Sequence, residues 1–185
     1  SSTSSTFTIY GQEKGTGSLY AHASSASNYA GIGGNTQLYG ASGEITINGG
    51  NITAVGDGFG AGIGGGAMGA FECITINGGT VSATGGDTSD GSGIGACFGY
   101  NSFGTITISG GTVMATGTRY GINASDYGTI STGNDGHAVI FASSIYPVSQ
   151  NRDSWRGVIF EGNSGKIYGD DITPSESFEI PSGKT

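Results

Sequence analysis

The sequence predicts an all-β protein: a single-stranded parallel β-helix of about four to five rungs, finished by a C-terminal β-hairpin or cap. Three observations predict it. Three short apolar motifs recur in a fixed order along the chain. Each motif has the alternation of a strand, not the period of a helix. Glycine, 39 of the 185 residues, falls at set places between them. Glycine at that level otherwise signals collagen or disorder. With 3 Pro and no repeating triplet, collagen is excluded, and 35% apolar residues at ordered positions is too rich for a disordered chain.

The first motif is Ile45-Thr46-Ile47-Asn48-Gly49-Gly50, repeated as Ile74-Thr75-Ile76-Asn77-Gly78-Gly79 and Ile106-Thr107-Ile108-Ser109-Gly110-Gly111, with Phe7-Thr8-Ile9-Tyr10-Gly11 as a weaker copy. Its outer residues share one face and its threonine takes the other. The second motif runs Leu19 to Ala21, Ile52 to Ala54, Val81 to Ala83 and Val113 to Ala115. The third is Gly31-Ile32-Gly33, Gly62-Ile63-Gly64, Gly93-Ile94-Gly95 and Gly121-Ile122-Asn123. Stacked copies give apolar columns that fill a narrow core between three sheets. No copy buries its own apolar face, so stability is shared between neighbours. Gly11, Gly49, Gly78 and Gly110 do not vary within the chain, which predicts positive φ at that turn. Asn123 stands where the third motif otherwise has glycine, which predicts the αL conformation there.

A fifth rung begins at Ile130 and decays. Ala138 to Phe141 then reads as a separate strand, and Val158–Phe160 with Lys166–Tyr168 as a hairpin turning near Asn163 and Gly165. Pro147, Trp155 and the hairpin are expected to cover the open end of the core, since an uncovered solenoid end aggregates. The division is 1–6 linker or fragment edge, 7–145 β-helix repeats, and 146–185 cap, hairpin and linker to a following domain.

The formal net charge of -8 makes nucleic acid a poor partner, because phosphate neutralisation needs clustered cations. No apolar run reaches the length of a membrane span, so membrane insertion is not expected. Cys73 and Cys97 read as buried free thiols or as a disulfide; no metal-ligand spacing surrounds them.

These repeats resemble the Gly-x-Ile-Thr-Ile-Asn-Gly-Gly-Thr-Val-x-Ala-Thr-Gly-Gly and Ala-Gly-Ile-Gly-Gly-Gly units of large bacterial surface proteins. The matching stretches are Gly43 to Gly50, Ala61 to Gly66, Gly69 to Gly79 and Gly104 to Thr116. Such proteins are common in gut Firmicutes and are described as adhesin-like or as carbohydrate-binding β-helix domains. The tail Phe178 to Thr185 resembles a junction in them beyond which another repeat follows. The resemblance implies an extracellular, cell-surface setting and a non-catalytic role in carbohydrate binding or adhesion. It brings no catalytic motif. The competing reading is a stalk that spaces other domains; a polysaccharide lyase, with Arg119 near Asp126 as its nearest approximation to a site, ranks last.

Function should sit in what does not repeat. Asp57, Asp87 and Asp90 fall in neighbouring corner loops, and Asp87 with Asp90 could contribute to a calcium site. Solvated turn aspartates are the plainer reading. Tyr29, Tyr39, Phe59 and Tyr100 fall outside the core columns and are the better-exposed candidates for sugar platforms. Trp155, among Arg152, Asp153 and Arg156, is either a glycan patch with a cation–π pair or a roof over the last rung. Phe71, Phe103 and Tyr127 each precede a first-strand isoleucine by the same interval, which predicts an internal aromatic ladder. The outward column Thr8, Thr46, Thr75, Thr107, flanked by Tyr10, Asn48, Asn77 and Ser109, reads as ordinary β-propensity.

Overall fold

The computed structural model of the chain describes residues 5–12, 17–24, 28–35, 41–97, 104–169, 179–182 and 184. They form β-strands and turns, with no helix among them. The first coil holds β1 (Thr6–Ile9), β2 (Ser18–His22) and β3 (Ile32–Gly33); the second β4 (Ala41–Ile47), β5 (Asn51–Val55) and β6 (Ile63–Gly64). The third holds β7 (Ala70–Ile76), β8 (Thr80–Thr84) and β9 (Ser92–Gly95). The fourth is β10 (Thr105–Thr116) and β11 (Tyr120–Asn123), the fifth β12 (Thr129–Ala142) and β13 (Ile145–Tyr146). The hairpin β14 (Gly157–Glu161) and β15 (Ser164–Tyr168) closes the order.

Each coil lies in register on the one before. Ile45, Ile74, Ile106 and Ile130 pair in succession, as do Ile52, Val81, Val113, Ile140 and Ile159. The third column runs Ile32, Ile63, Ile94, Ile122, Ile145. All of these side chains are buried and belong to one core. Fully burying an isoleucine stabilises by roughly 1.5–3 kcal/mol, so each coil depends on the coil that covers it.

The sheets number two where three were expected. One five-stranded sheet carries the third motif. The first and second motifs share a ten-stranded sheet, because β10 and β12 run through the glycine corner without a break. The fifth coil does not decay. Gly133 to Gly136 stand where the fourth coil has Ser109 alone, an insertion of three residues, after which Ala138, Val139 and Ile140 pair with Gly111, Thr112 and Val113. Ala138 to Phe141 is therefore the second strand of that coil, a continuity hidden in sequence by the insertion.

The turn geometry corrects the glycine expectation. Positive φ falls on the second glycine of each pair: Gly50 at 95°, Gly79 at 89° and Gly111 at 81°. The first glycine is constrained by approach instead. A Cβ at Gly110 would lie 2.7 Å from the Asn77 carbonyl oxygen, and one at Gly11 2.9 Å from the Gly50 nitrogen. At the third corner Gly33 and Gly64 have φ of 131° and 135°, far from the αL well at about +57°. Asparagine cannot take that conformation, and Asn123 does not: its φ is negative. Its buried amide donates to the Ala96 carbonyl at 2.9 Å and accepts the Ser125 N–H at 2.8 Å, replacing conformation with hydrogen bonds.

The C-terminal end is roofed as expected. Trp155 is 1% exposed, belongs to the core, and donates its indole N–H to the Ile130 carbonyl at 3.2 Å. Thr132 takes the place of an inward isoleucine in the fifth coil and accepts the Arg156 N–H at 2.6 Å. The hairpin turns at Gly162-Asn163, one step earlier than expected, with Gly162 at φ 61°. Gly165 lies flat across the Phe160 ring, where a Cβ would sit 2.4 Å from the ring. Of the expected internal aromatic ladder, Phe71 is buried but Tyr127 is 70% exposed and so is not internal; Phe103 lies outside the described residues. At the opposite end the first coil is open, with Phe7 49% exposed although its column was assigned to the core.

Ile76→Ala, at the centre of the core, is expected to cost about 2–5 kcal/mol in denaturant unfolding. Phe7→Ala, on the half-exposed first coil, should cost under about half of that. Equal losses would show that the first coil is covered in solution.

Candidate functional site

The corner after the second strand brings the predicted aspartates into one tier of loops. Asp57 is half-buried; its carboxylate accepts the Asn28 N–H at 3.4 Å, and Asn28 in turn accepts the Phe59 N–H at 3.2 Å. Asp57 therefore fastens two coils together, with Phe59 half-buried beside it. Asp87 is exposed on the next coil, and Thr88 beside it donates to the Gly58 carbonyl at 2.6 Å. Asp90 pairs with Arg119 at 2.7 Å and accepts the Ser89 hydroxyl at 3.2 Å. Among the described residues no three His, Cys, Asp or Glu side chains converge to hold a metal ion. Tyr29 is exposed at the same corner, and Tyr39 and Tyr100 lie outside the described residues.

Trp155 offers no ring face to a ligand. Its burial as the roof separates it from the other candidates, although the predicted cation–π pair is present, with Arg152 4.9 Å over the indole. Arg152 also pairs with Glu161 at 2.7 Å, and Glu161 accepts the Ile145 N–H at 3.0 Å. That network holds the roof to the last coil.

Sequence reasoning missed two groupings. The first gathers around Arg119, which sits 5.3 Å over Tyr120; Tyr120 stacks on Tyr146 at 4.5 Å, and Tyr146 donates to Asp126. The hydrogen bond to Asp126 holds the Tyr146 phenol above its usual range. Arg119 and Asp126 are thus bridged by two rings, which no sequence spacing announces.

The second is a groove of about 600 Å³ running along the rod beside the glycine pairs. Tyr10, Asn48, Asn77 and Ser109 line it coil by coil, with Gln12 at one end and His137 at the other. Asn77 donates its amide to Asn48 at 2.8 Å, which ties the second and third coils together within the rank. Its signal was present in the sequence as the outward rank beside the threonines. What hid it was the bend: a flat sheet would spread these residues, whereas the glycine corner folds the two outer faces into a trough. In the fifth coil His137 occupies the register position of Gly110.

The two thiols are free, Cys73 partly and Cys97 fully buried. Burial pushes the Cys97 thiol up to about 12 from an ordinary 9.0, opposed by hydrogen bonds with Ser92 and helped by the Asp90 charge. Below pH 9 both folded and unfolded chains hold this proton. Above it the unfolded chain ionises first, so stability is lost as pH rises from 9 through about 12. Cys97→Ala is expected to shallow the fall of melting temperature above pH 9, measured against wild type across an alkaline series. Parallel curves would place the alkaline limb elsewhere.

A family model described as Beta helix repeat matches residues 45–67, 74–100 and 106–130, each match opening on a first-strand isoleucine. A search of curated proteins returns no match, and neither does a search of solved structures.

Proposed function

We propose that this β-helix repeat domain is a non-catalytic, extracellular surface module that binds carbohydrate or mediates adhesion. The observation that carries the reading is the open groove along the rod axis, lined by amide, hydroxyl and aromatic side chains over bare glycine backbone. Sugars present that chemistry in reverse: hydroxyls that donate and accept, and apolar ring faces. The resemblance of the repeats to bacterial surface proteins points the same way, as does a rigid scaffold with exposed loops.

A spacer between other domains is the second reading, favoured by the repeat-on-repeat architecture itself. Lyase chemistry draws less support. Arg119 is paired with Asp90, and the raised Tyr146 phenol is shifted away from service as a base.

Affinity electrophoresis against cell-wall and dietary polysaccharides is expected to show retardation by at least one of them. Incubation with the same glycans and calcium is expected to release no product. Clean negatives in binding would favour the spacer, and product release would favour the lyase.

A further inference from the structure

We infer that the axial groove takes a neutral, linear, extended polysaccharide laid parallel to the rod, one sugar against each coil. This rests on the glycan-binding reading and adds the ligand class and the residues that select it.

Periodicity is the first argument. The groove repeats with the coils, and paired strands lie about 4.8 Å apart. That is close to the rise per sugar of an extended, equatorially linked glycan. A rank from Tyr10 to His137 spans five coils, four intervals or about 19 Å from first to last, which at one per coil accommodates about five sugars. A curved glycan would leave the trough after the first contacts.

Hydrogen-bonding capacity is the second. Asn77 spends one amide hydrogen on Asn48. Both side chains are exposed, which leaves Asn48 with its amide hydrogens and Asn77 with its carbonyl and second hydrogen. Each coil thus offers donors or acceptors to vicinal hydroxyls, with the Ser109 hydroxyl continuing the rank. At the open end Tyr10, 77% exposed, presents a ring for a sugar face.

Charge is the third. Among the described residues no Lys, Arg, Asp or Glu lines the groove. The chain carries a net -8, so a uronate polymer meets repulsion that no Lys or Arg among the described lining residues offsets.

Titration calorimetry with cello- and mannooligosaccharides, from disaccharide to hexasaccharide, tests this. Maltooligosaccharides serve as the curved neutral series and oligogalacturonates as the acidic one. Affinity for an extended neutral series is expected to climb with length and level off near the tetrasaccharide or pentasaccharide. The double variant Asn48→Ala, Asn77→Ala should weaken the longest ligand by at least about tenfold, consistent with two lost hydrogen bonds, with an unchanged melting temperature. Length-independent affinity, a preference for the curved or acidic series, or wild-type binding by the double variant would overturn the inference. Binding lost instead in Tyr29→Ala or Asp87→Ala would overturn it while leaving the glycan-binding reading standing. No binding by any series, in calorimetry and electrophoresis alike, would remove both.

Discussion

In-register stacking of one coil on the next is the constraint from which the rest of the molecule follows, and it is tightest at the corners. There the backbone of one coil passes so close to its neighbour that a single added carbon would collide: a Cβ on Gly64 would meet the Gly95 carbonyl oxygen at 2.3 Å, and one on Gly79 would meet that of Gly50 at 2.5 Å. Because most corner positions leave no room for a side chain, the strands between them superpose, and like residues fall on like. The isoleucine columns are a consequence of that superposition as much as a cause of it. Burial of the columns supplies the free energy, and the glycines supply the geometry in which burial can occur.

The same constraint sets where variation is allowed. Beyond the corner glycines the chain can lengthen outward without disturbing the core, as at Gly133 to Gly136, where pairing resumes after the insertion. Those loops are then fastened to one another by side chains. Asp57 with Asn28, Thr88 with Gly58, and Asp90 with Arg119 each join one coil to the next. Residues that looked like an array of free carboxylates are in part the ties of the corner. The ends follow a different logic. Trp155, Thr132 and the hairpin replace the missing coil at one end, while Phe7 and Leu19 leave the other partly exposed.

A groove beside the glycine pairs is a by-product of the bend that then acquires chemistry. Its floor is bare because glycine is required there, and its wall is whatever the outward position of the first strand carries. In this chain that position reads tyrosine, asparagine, asparagine, serine. A threonine or lysine rank would make the same trough a different surface.

Much of the fold was legible in the sequence, because repetition converts local pattern into tertiary register. Motif order, the core columns and the paired strands of the hairpin all followed from alternation and recurrence. The conformations of individual turn residues did not. Whether Gly49 or Gly50 carries the positive φ, and how Asn123 serves where glycine stood, depend on how closely neighbouring coils approach, a distance that no local pattern encodes. The fifth coil was obscured for a related reason: an insertion breaks periodicity in sequence but not in space. Site assignments were the least legible. Trp155 could be roof or platform until its burial was known, and Asn48 and Asn77 were surface filler until the bend set them in one trough. Recurrence settles which residues stack, but which of the outward ones face each other is a property of the folded chain, because it depends on the angle at a corner built mostly of glycine.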